Sequence, residues 1–235
     1  MRPEQFTFAT EMRLEDFQAI IYDMDGVLTD SEPIWKIAME DVFHGVGCNL
    51  THEDFQKTTG LRIDEVCLYW HSVQPWEQYT PKQVETLIVD RMAELLAEQA
   101  EPLEGVVESL KFFKSCGKRI GLATSSYSRL IDVILSKLEI REFFDTIHSA
   151  ENELFGKPHP AVYLTAAEHL GVFPQHCLVI EDSLNGVISA KAARMSVICV
   201  PEKTHLPDPR LILADAKFDS LTNVIDYFKV HADSN

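Results

Sequence analysis

Ala19-Ile20-Ile21-Tyr22-Asp23-Met24-Asp25-Gly26-Val27 holds the turning point of this chain. Four apolar residues, branched and aromatic side chains among them, give way at once to two acids and a glycine. A run that short, with those side chains, reads as a buried strand that ends where the acids begin. Side chains two apart on an extended backbone point the same way, so Asp23 and Asp25 can face one site. Two carboxylates side by side repel unless a proton or cation intervenes. A hard divalent cation with oxygen ligands removes the conflict, and Mg²⁺ is the usual choice beside phosphate. Taken alone, an Asp-x-Asp turn before a glycine is as readily a solvated acidic corner.

Working outward, strands and helices alternate from Glu101-Pro102-Leu103-Glu104-Gly105 onward. Val106 to Ser115 reads as a helix, and Arg119 to Ala123 as a strand ending at Thr124-Ser125-Ser126. Arg129 to Leu138 reads as a helix, Asp145 to Ser149 as a short strand, and Pro158 as the start of a helix to about Leu170. Cys177 to Ile180 reads as a strand ending at Glu181-Asp182, Leu184 to Arg194 as a helix, and Val197 to Val200 as a strand. Such alternation predicts an α/β fold, a Rossmann-like doubly wound parallel sheet with helices on both faces. In open parallel sheets ligands sit beyond the carboxyl ends of the strands. Asp23 and Asp25, Thr124, and Glu181 with Asp182 would therefore meet along one edge.

Between Pro33 and Ala100 the texture is helical, with no convincing strand. Trp35, Ala38, Met39, Val42 and Phe43 recur at helical spacing, and Thr51-His52-Glu53-Asp54 reads as the start of a short helix. Thr80-Pro81-Lys82-Gln83 is a capping box with proline at the first helical position. Val84, Leu87, Ile88, Met92, Leu95 and Leu96 follow as one apolar stripe. The expected organisation is a polar lead-in over 1–16, a core domain from 17–33 and 101–235, and a small all-helical cap domain over 34–100. Inserted after the first strand, the cap would sit above the same sheet edge.

The 235 residues are 46% apolar and 25% charged, the balance of an ordinary globular protein. With 21 basic against 37 acidic side chains the formal charge is −16. That surplus argues against nucleic-acid binding, which needs a basic stripe, and against an anionic membrane surface. No apolar run approaches the roughly 20 residues of a membrane span, and the charged N-terminal segment lacks a signal peptide's apolar stretch. Cys48, Cys67, Cys116, Cys177 and Cys199 are widely spaced with no Cys-x-x-Cys, as expected of reduced thiols in a cytoplasmic protein.

Lys157-Pro158-His159-Pro160 offers a further feature. Proline at a helix start would leave Lys157 at its mouth, able to neutralise a phosphoryl oxygen, although an isolated Lys-Pro is more often a surface pair. Thr124 could donate its hydroxyl to the same anion, and a Thr-Ser-Ser run alone is more often a helix cap. Asn185-Gly186 after Glu181-Asp182-Ser183 permits close approach in the first turn of the next helix.

As a set, Asp23-Met24-Asp25-Gly26-Val27, Thr124-Ser125, Lys157-Pro158 and Glu181-Asp182 resemble the four motifs of the haloacid dehalogenase-like (HAD) hydrolases, in order and context, over about residues 17 to 225. The position of the helical insert is similar to that of the β-phosphoglucomutase-like subfamily. Asp30-Ser31-Glu32-Pro33-Ile34-Trp35, Thr59-Gly60-Leu61-Arg62-Ile63-Asp64, Trp70, Gln74-Pro75-Trp76, Gly156-Lys157-Pro158-His159-Pro160 and Ala190-Lys191-Ala192-Ala193-Arg194-Met195 resemble the hexitol, or 2-deoxyglucose-6-phosphate, phosphatases within it. Thr124-Ser125 stands where those relatives tend to have Ser-Ala, and Gly156 precedes Lys157 where they tend to have Ser.

The resemblance implies an HAD-fold phosphatase acting on a small-molecule sugar phosphate through an aspartyl phosphate. Asp23 would be the nucleophile and Asp25 the acid/base. Asp23, Thr124, Ser125 and Lys157 would hold the phosphoryl group, with Asp25 at the leaving oxygen. Mg²⁺ would be held by Asp23, the Asp25 carbonyl and Asp182, with Glu181 a ligand directly or through water. Arg62 is the candidate for sugar hydroxyls or a carboxylate, unless it is spent on Asp64 or Glu65. Trp35, Trp70 and Trp76 are candidates for specificity, with core packing expected of at least one. A monomer without nucleic-acid or membrane partners is expected. A phosphosugar mutase of the same subfamily would carry histidine at Trp35 and arginine at Ile63, and has neither here. Phosphoglycolate phosphatase and a non-catalytic sugar-phosphate sensor are the other readings.

Overall fold

The computed structural model describes residues 12–51, 54–55, 57–58, 61–201 and 208–232. These fall into two compact units. One comprises the described residues up to Asp30, Pro102–Ser126 and those from Glu139 onward; the other comprises Ser31–Glu101 and Tyr127–Leu138.

The first unit is built on six parallel strands: β1 Ala19–Tyr22, β2 Arg119–Thr124, β3 Thr146–Ser149, β4 Cys177–Glu181, β5 Ser196–Cys199 and β6 Ala216–Lys217. Their spatial order is β3-β2-β1-β4-β5-β6. The chain winds outward from β1 through β2 to β3, then returns to β1's other side and winds out through β4 to β6. The strand order therefore reverses beside β1, the place where a doubly wound sheet leaves a crevice at its carboxyl edge.

Four helices cover the sheet: α4 Val106–Ser115, α6 Ala161–Leu170, α7 Leu184–Ala192 and α8 Leu221–Ala232. The alternation of strand side chains sorts the two faces. Ala19, Ile21, Ala123, Cys177, Val179, Val197 and Cys199 join Val162, Tyr163, Ala166 and Ala167 of α6 and Val187 and Ala190 of α7 in one buried cluster. Tyr22 points to the other face, where its hydroxyl donates to Ser109 Oγ of α4 at 3.0 Å, and Phe113 of α4 meets Phe228 of α8. Burial on both faces explains why β1 is apolar at every position rather than alternating.

Two carboxylates fasten the sheet in the same way on either side of β1. Asp145, before β3, accepts from Ile120 N at 2.7 Å and from Lys114 Nζ at 2.7 Å. Asp215, before β6, accepts from Val197 N at 2.8 Å and from Lys191 Nζ at 2.7 Å. Each ties the amide of a neighbouring strand's second residue to the last turn of a covering helix.

The second unit is helical: α1 Glu32–Gly45, α2 Ile63–Val73, α3 Pro81–Gln99 and α5 Ser128–Lys137. The capping box forms at α3 as its sequence predicts, with Gln83 N donating to Thr80 Oγ1 at 3.2 Å and Thr80 N to Gln83 Oε1 at 2.8 Å. α3 is the centre of this unit and packs against α1, α2 and α5. Its buried face includes Val84, Ile88, Met92, Leu95 and Leu96, together with Glu85, Val89 and Ala93, while Leu87 is exposed. Helix α5, in a stretch assigned by sequence to the sheet-bearing segment, groups here through Leu130, Ile131, Ile134 and Leu135. Trp70 and Trp76 are buried. Thr51 and Asp54 exchange the hydrogen bonds of a helix start; His52, Glu53, Thr59 and Gly60 lie outside the described residues.

Candidate active site

β1 ends at Tyr22, and its hydrogen-bond ladder carries one residue further, with Asp23 N donating to Ile180 O of β4 at 2.9 Å. The chain then folds into a tight loop in which Leu28 N returns to Met24 O at 2.8 Å and Gly26 N to Thr29 O at 2.9 Å. Gly26 has φ of +70°, and a Cβ there would overlap the Asp182 carboxylate. Glycine thus meets both the left-handed backbone and the close passage of Asp182.

Asp23, Glu181 and Asp182 each present a carboxylate oxygen within 4.8 Å of the others. Lys157 is the cation among them. Its Nζ lies 2.7 Å from Glu181 Oε1, 2.9 Å from Asp23 Oδ1 and 3.3 Å from the carbonyl of Ala123. Its side chain is only 6% exposed, so it is not the surface lysine that an isolated Lys-Pro suggests. Nor does it stand at a helix mouth. α6 begins at Ala161 with Pro160 as its N-cap, three residues beyond the expected start at Pro158. The reason is local: a residue before proline is pushed out of the helical region, so His159 cannot carry a helix into Pro160. The Lys157–Pro158 peptide is cis.

Glu181 is wholly buried, and both its oxygens are taken up by protein donors. Oε1 accepts from Lys157 Nζ at 2.7 Å and Tyr163 Oη at 2.8 Å. Oε2 accepts from Asp182 N at 2.9 Å, Ser183 N at 2.9 Å and Ser183 Oγ at 3.0 Å. Burial alone would raise its pKa, but Lys157 and these donors hold it below the ordinary carboxylate value. A Cβ at Gly186, in the first turn of α7, would overlap this carboxylate. The close approach expected at Gly186 is therefore to Glu181.

Asp23 is the opposite case. It is 7% exposed, and the partner its Oδ1 meets among the described residues is Lys157 Nζ at 2.9 Å, where Glu181 has five donors. Burial pushes its pKa up to about 7, with Glu181 and Asp25 adding to the rise and Lys157 opposing it. Lys157, which burial would shift down, is instead raised by Asp23 and Glu181 and stays charged.

Asp25 turns its carboxylate elsewhere, with Oδ2 accepting from Ser126 Oγ at 2.6 Å and lying 3.5 Å from Thr124 Oγ1. Thr124 ends β2 and is 1% exposed; Ser125, next along, is half-buried. Arg62 belongs to the helical unit, where its Nε and Nη2 both bond Asp64 at 3.1 Å and its main chain closes a capping interaction with Glu65.

The geometry adds Tyr163 and Ser126 to the residues singled out by sequence. Tyr163 bonds Glu181 and lays its ring 4.8 Å below Lys157 Nζ. On α6 it falls among Val162, Ala166, Ala167 and Leu170 and reads as core. Ser126 follows Thr124-Ser125 directly, and only the fold shows its hydroxyl turning back to Asp25.

The Asp23, Glu181 and Asp182 cluster suits a hard divalent cation by its all-oxygen donors. Three clustered carboxylates meet one lysine here, and Asp25 adds to the repulsion on Asp23, an excess that a cation would relieve.

Residues 20–200 match the family model described as haloacid dehalogenase-like hydrolase. The chain belongs to the haloacid dehalogenase-like hydrolases. It is 41% identical over 207 residues to hexitol phosphatase B of Escherichia coli (strain K12), covering 88% of this chain and 93% of that one. It is 28% identical to a phosphoglycolate phosphatase of Nitrosococcus oceani, over 90% of this chain and 96% of that one. Among solved structures it is similar in fold to a β-phosphoglucomutase from Clostridium difficile, with a TM-score of 0.77 and 24% identity, covering 92% of this chain and 99% of that one. With relatives of this closeness, the chain is a phosphoric monoester hydrolase, a phosphatase of small phosphorylated compounds. No helix among the described residues is long and apolar enough to cross a membrane.

Proposed function

We propose that this protein hydrolyses phosphate monoesters of hexoses and hexitols through a phosphoryl group carried transiently on Asp23, with Mg²⁺ as its cofactor. The observation that carries the reading is the buried Asp23 carboxylate just past the end of β1, 2.9 Å from Lys157 Nζ and clustered with Glu181 and Asp182. A carboxylate with so few partners keeps lone pairs for attack on phosphorus.

Asp23 attacks the phosphorus, and the bond from phosphorus to the ester oxygen breaks. The electron pair goes to the ester oxygen, which takes a proton from Asp25 and departs as the alcohol. Asp25, now a carboxylate, removes a proton from water as that water attacks the phosphorus of the acyl phosphate. The bond from Asp23 to phosphorus breaks, inorganic phosphate leaves, and both aspartates return to their starting states. Lys157, Thr124 and Ser125 hold the phosphoryl oxygens; of the three neighbours of Lys157 Nζ, the Ala123 carbonyl at 3.3 Å is the most easily given up. When bound, Mg²⁺ would screen the phosphoryl charge from the carboxylates. Asp23, Asp182 and the Asp25 carbonyl would hold it. Glu181, with five donors of its own, acts by fixing Lys157 and the start of α7.

The hexitol preference is supported by the 41% identity to hexitol phosphatase B and by Trp35 and Ile63, which stand in place of the mutase's histidine and arginine. Arg62 remains a proposal on sequence grounds alone, and its bonds from Nε and Nη2 to Asp64 must be shared or given up for it to read substrate hydroxyls. A monomer in the cytoplasm suits the five free cysteines, four of them buried.

The test is phosphate release with Mg²⁺ from 2-deoxyglucose-6-phosphate, mannose-6-phosphate, sorbitol-6-phosphate, mannitol-1-phosphate, phosphoglycolate and β-glucose-1-phosphate. Release from hexose or hexitol esters, abolished by EDTA and by Asp23→Asn, is the expected result. Isomerisation of β-glucose-1-phosphate without net phosphate release would overturn it, as would a preference for phosphoglycolate.

A further inference from the structure

We infer that Ser126 is a positioning residue for Asp25, fixing the acid/base so that its mobile proton is carried on Oδ1. The inference rests on the phosphatase reading above and assigns a part of that site which neither the motifs nor the comparisons assign.

Ser126 Oγ lies 2.6 Å from Asp25 Oδ2, in the short range of a hydroxyl donating to a carboxylate. Thr124 Oγ1 is 3.5 Å from the same oxygen, at the limit of a useful bond. Ser126 is itself firmly held. Its N–H donates to Thr124 Oγ1 at 3.1 Å, and its carbonyl accepts from Ser149 Oγ at 2.6 Å. Ser126 and Ser149 are 7% and 5% exposed, so little water competes for these bonds. The hydroxyl is thus presented to Asp25 from a backbone tied on both sides, at the ends of β2 and β3.

Asp25 must deliver a proton to the ester oxygen and later take one from water, at nearly the same point in space. A carboxyl free to turn would spread that proton over two oxygens. With Oδ2 accepting from Ser126, the proton of neutral Asp25 belongs on Oδ1. As the ester bond breaks, the Oδ1–H bond breaks too, its electron pair stays on Asp25, and the charge that develops is met by the Ser126 hydroxyl. When water attacks, Oδ1 takes the proton back.

A leaving group that needs no proton separates this role from any other. p-Nitrophenolate departs as a stable anion, whereas a sugar alkoxide does not. kcat/KM reports the steps through the first phosphoryl transfer. The measurement is the ratio of kcat/KM for sorbitol-6-phosphate to that for p-nitrophenyl phosphate, each saturated with Mg²⁺. Because both values come from one preparation, partial misfolding cancels. For Ser126→Ala the ratio is expected to fall at least about tenfold, and for Ser126→Thr to return to within about twofold of wild type. If Ser126→Ala does not fold, Ser126→Cys, of similar shape but a weaker donor, is read by the same ratio. An unchanged ratio, with both esters declining together, would overturn the inference in favour of a structural or phosphate-holding role. Failure of the underlying reading looks different: Asp23→Asn would then keep turning over both esters.

Discussion

Gly186→Ala is a substitution whose sign the structure reverses. Inside a helix, replacing glycine by alanine ordinarily stabilises by about 1 kcal/mol, because glycine loses more backbone freedom on folding. Gly186 lies in the first turn of α7, where that gain would be expected. A Cβ at Gly186 would instead fall inside the Glu181 carboxylate. Either the start of α7 retreats or the carboxylate swings away from its donors. Glu181 receives five of them, and a hydrogen bond to a buried charged group is worth about 1.5–3 kcal/mol. Losing two outweighs the helix gain and leaves a net loss of at least about 2 kcal/mol. For a chain of this size that is a fall in Tm of at least about 4 °C.

Gly45 supplies the control. It too is helical, at the end of α1, and a Cβ there meets nothing within 4 Å. Gly45→Ala should therefore be neutral or stabilising by up to about 1 kcal/mol. Thermal melts of wild type and both variants, in the same buffer with EDTA, make the comparison. A Gly186→Ala protein as stable as wild type would refute the claim that α7 is seated directly against the Glu181 carboxylate. Its kcat should fall as well, since displacing Glu181 unseats Lys157.

Tyr163→Phe keeps the ring beneath Lys157 and removes one donor from Glu181. It should cost about 1.5–3 kcal/mol in urea unfolding, and the loss should shrink when Glu181→Gln is already present. Asp23 has a raised folded pKa, so its contribution is fully present below about pH 4 and is lost as pH rises through about 7. In EDTA, Asp23→Asn should therefore melt higher than wild type at about pH 8, and the gap should close near pH 4. Asp145 has a lowered folded pKa, because Lys114 and Ile120 N outweigh its burial. Asp145→Asn should cost about 1 kcal/mol above about pH 4, after discounting for a side chain 42% exposed, and the difference should vanish as pH falls through the folded value. Asp182→Asn should raise the Mg²⁺ concentration needed for half-maximal activity by about tenfold or more, read from titrations of EDTA-stripped enzyme.

The parts of this fold that were legible in the sequence were those set by local chemistry. The bounds of β1 are as read, because a four-residue apolar run stops at two acids. The alternation that follows gives a parallel doubly wound sheet, and β4, β5 and α7 fall within a residue or two of expectation. α6 starts later than Pro158 suggests, because Pro158 alone suits a helix's first position while Pro160 disfavours a helical His159. β6 has two residues and no periodicity to read. α8 did carry a signal, since Leu221, Val224, Ile225 and Phe228 stand at helical spacing and are all buried. Tyr163 and Ser126 were hidden for a different reason. Each acts through one polar atom on a partner distant in sequence, and neither periodicity nor spacing encodes such a meeting.

Donor count is what distinguishes the acids that the sequence offers as equals. Asp23 and Glu181 follow or end neighbouring strands, both are buried, and both lie within 3 Å of the same lysine nitrogen. Burial by itself would push both toward neutrality. Glu181 is held ionised by five donors, including two backbone amides at the start of α7. It has no lone pair to spare for attack and is suited to keeping Lys157 in place. Asp23 Oδ1 has Lys157 as its partner among the described residues, and its charged form stays disfavoured until something else compensates it. A buried carboxylate left in that condition costs stability without improving the packing. Glu181 receives five donors one strand away, so the sparser setting of Asp23 has a use: an incoming cation and a phosphoryl group can complete what the fold leaves open. Stabilising Asp23 by adding a further donor beside Lys157 should accordingly lower activity as it raises Tm.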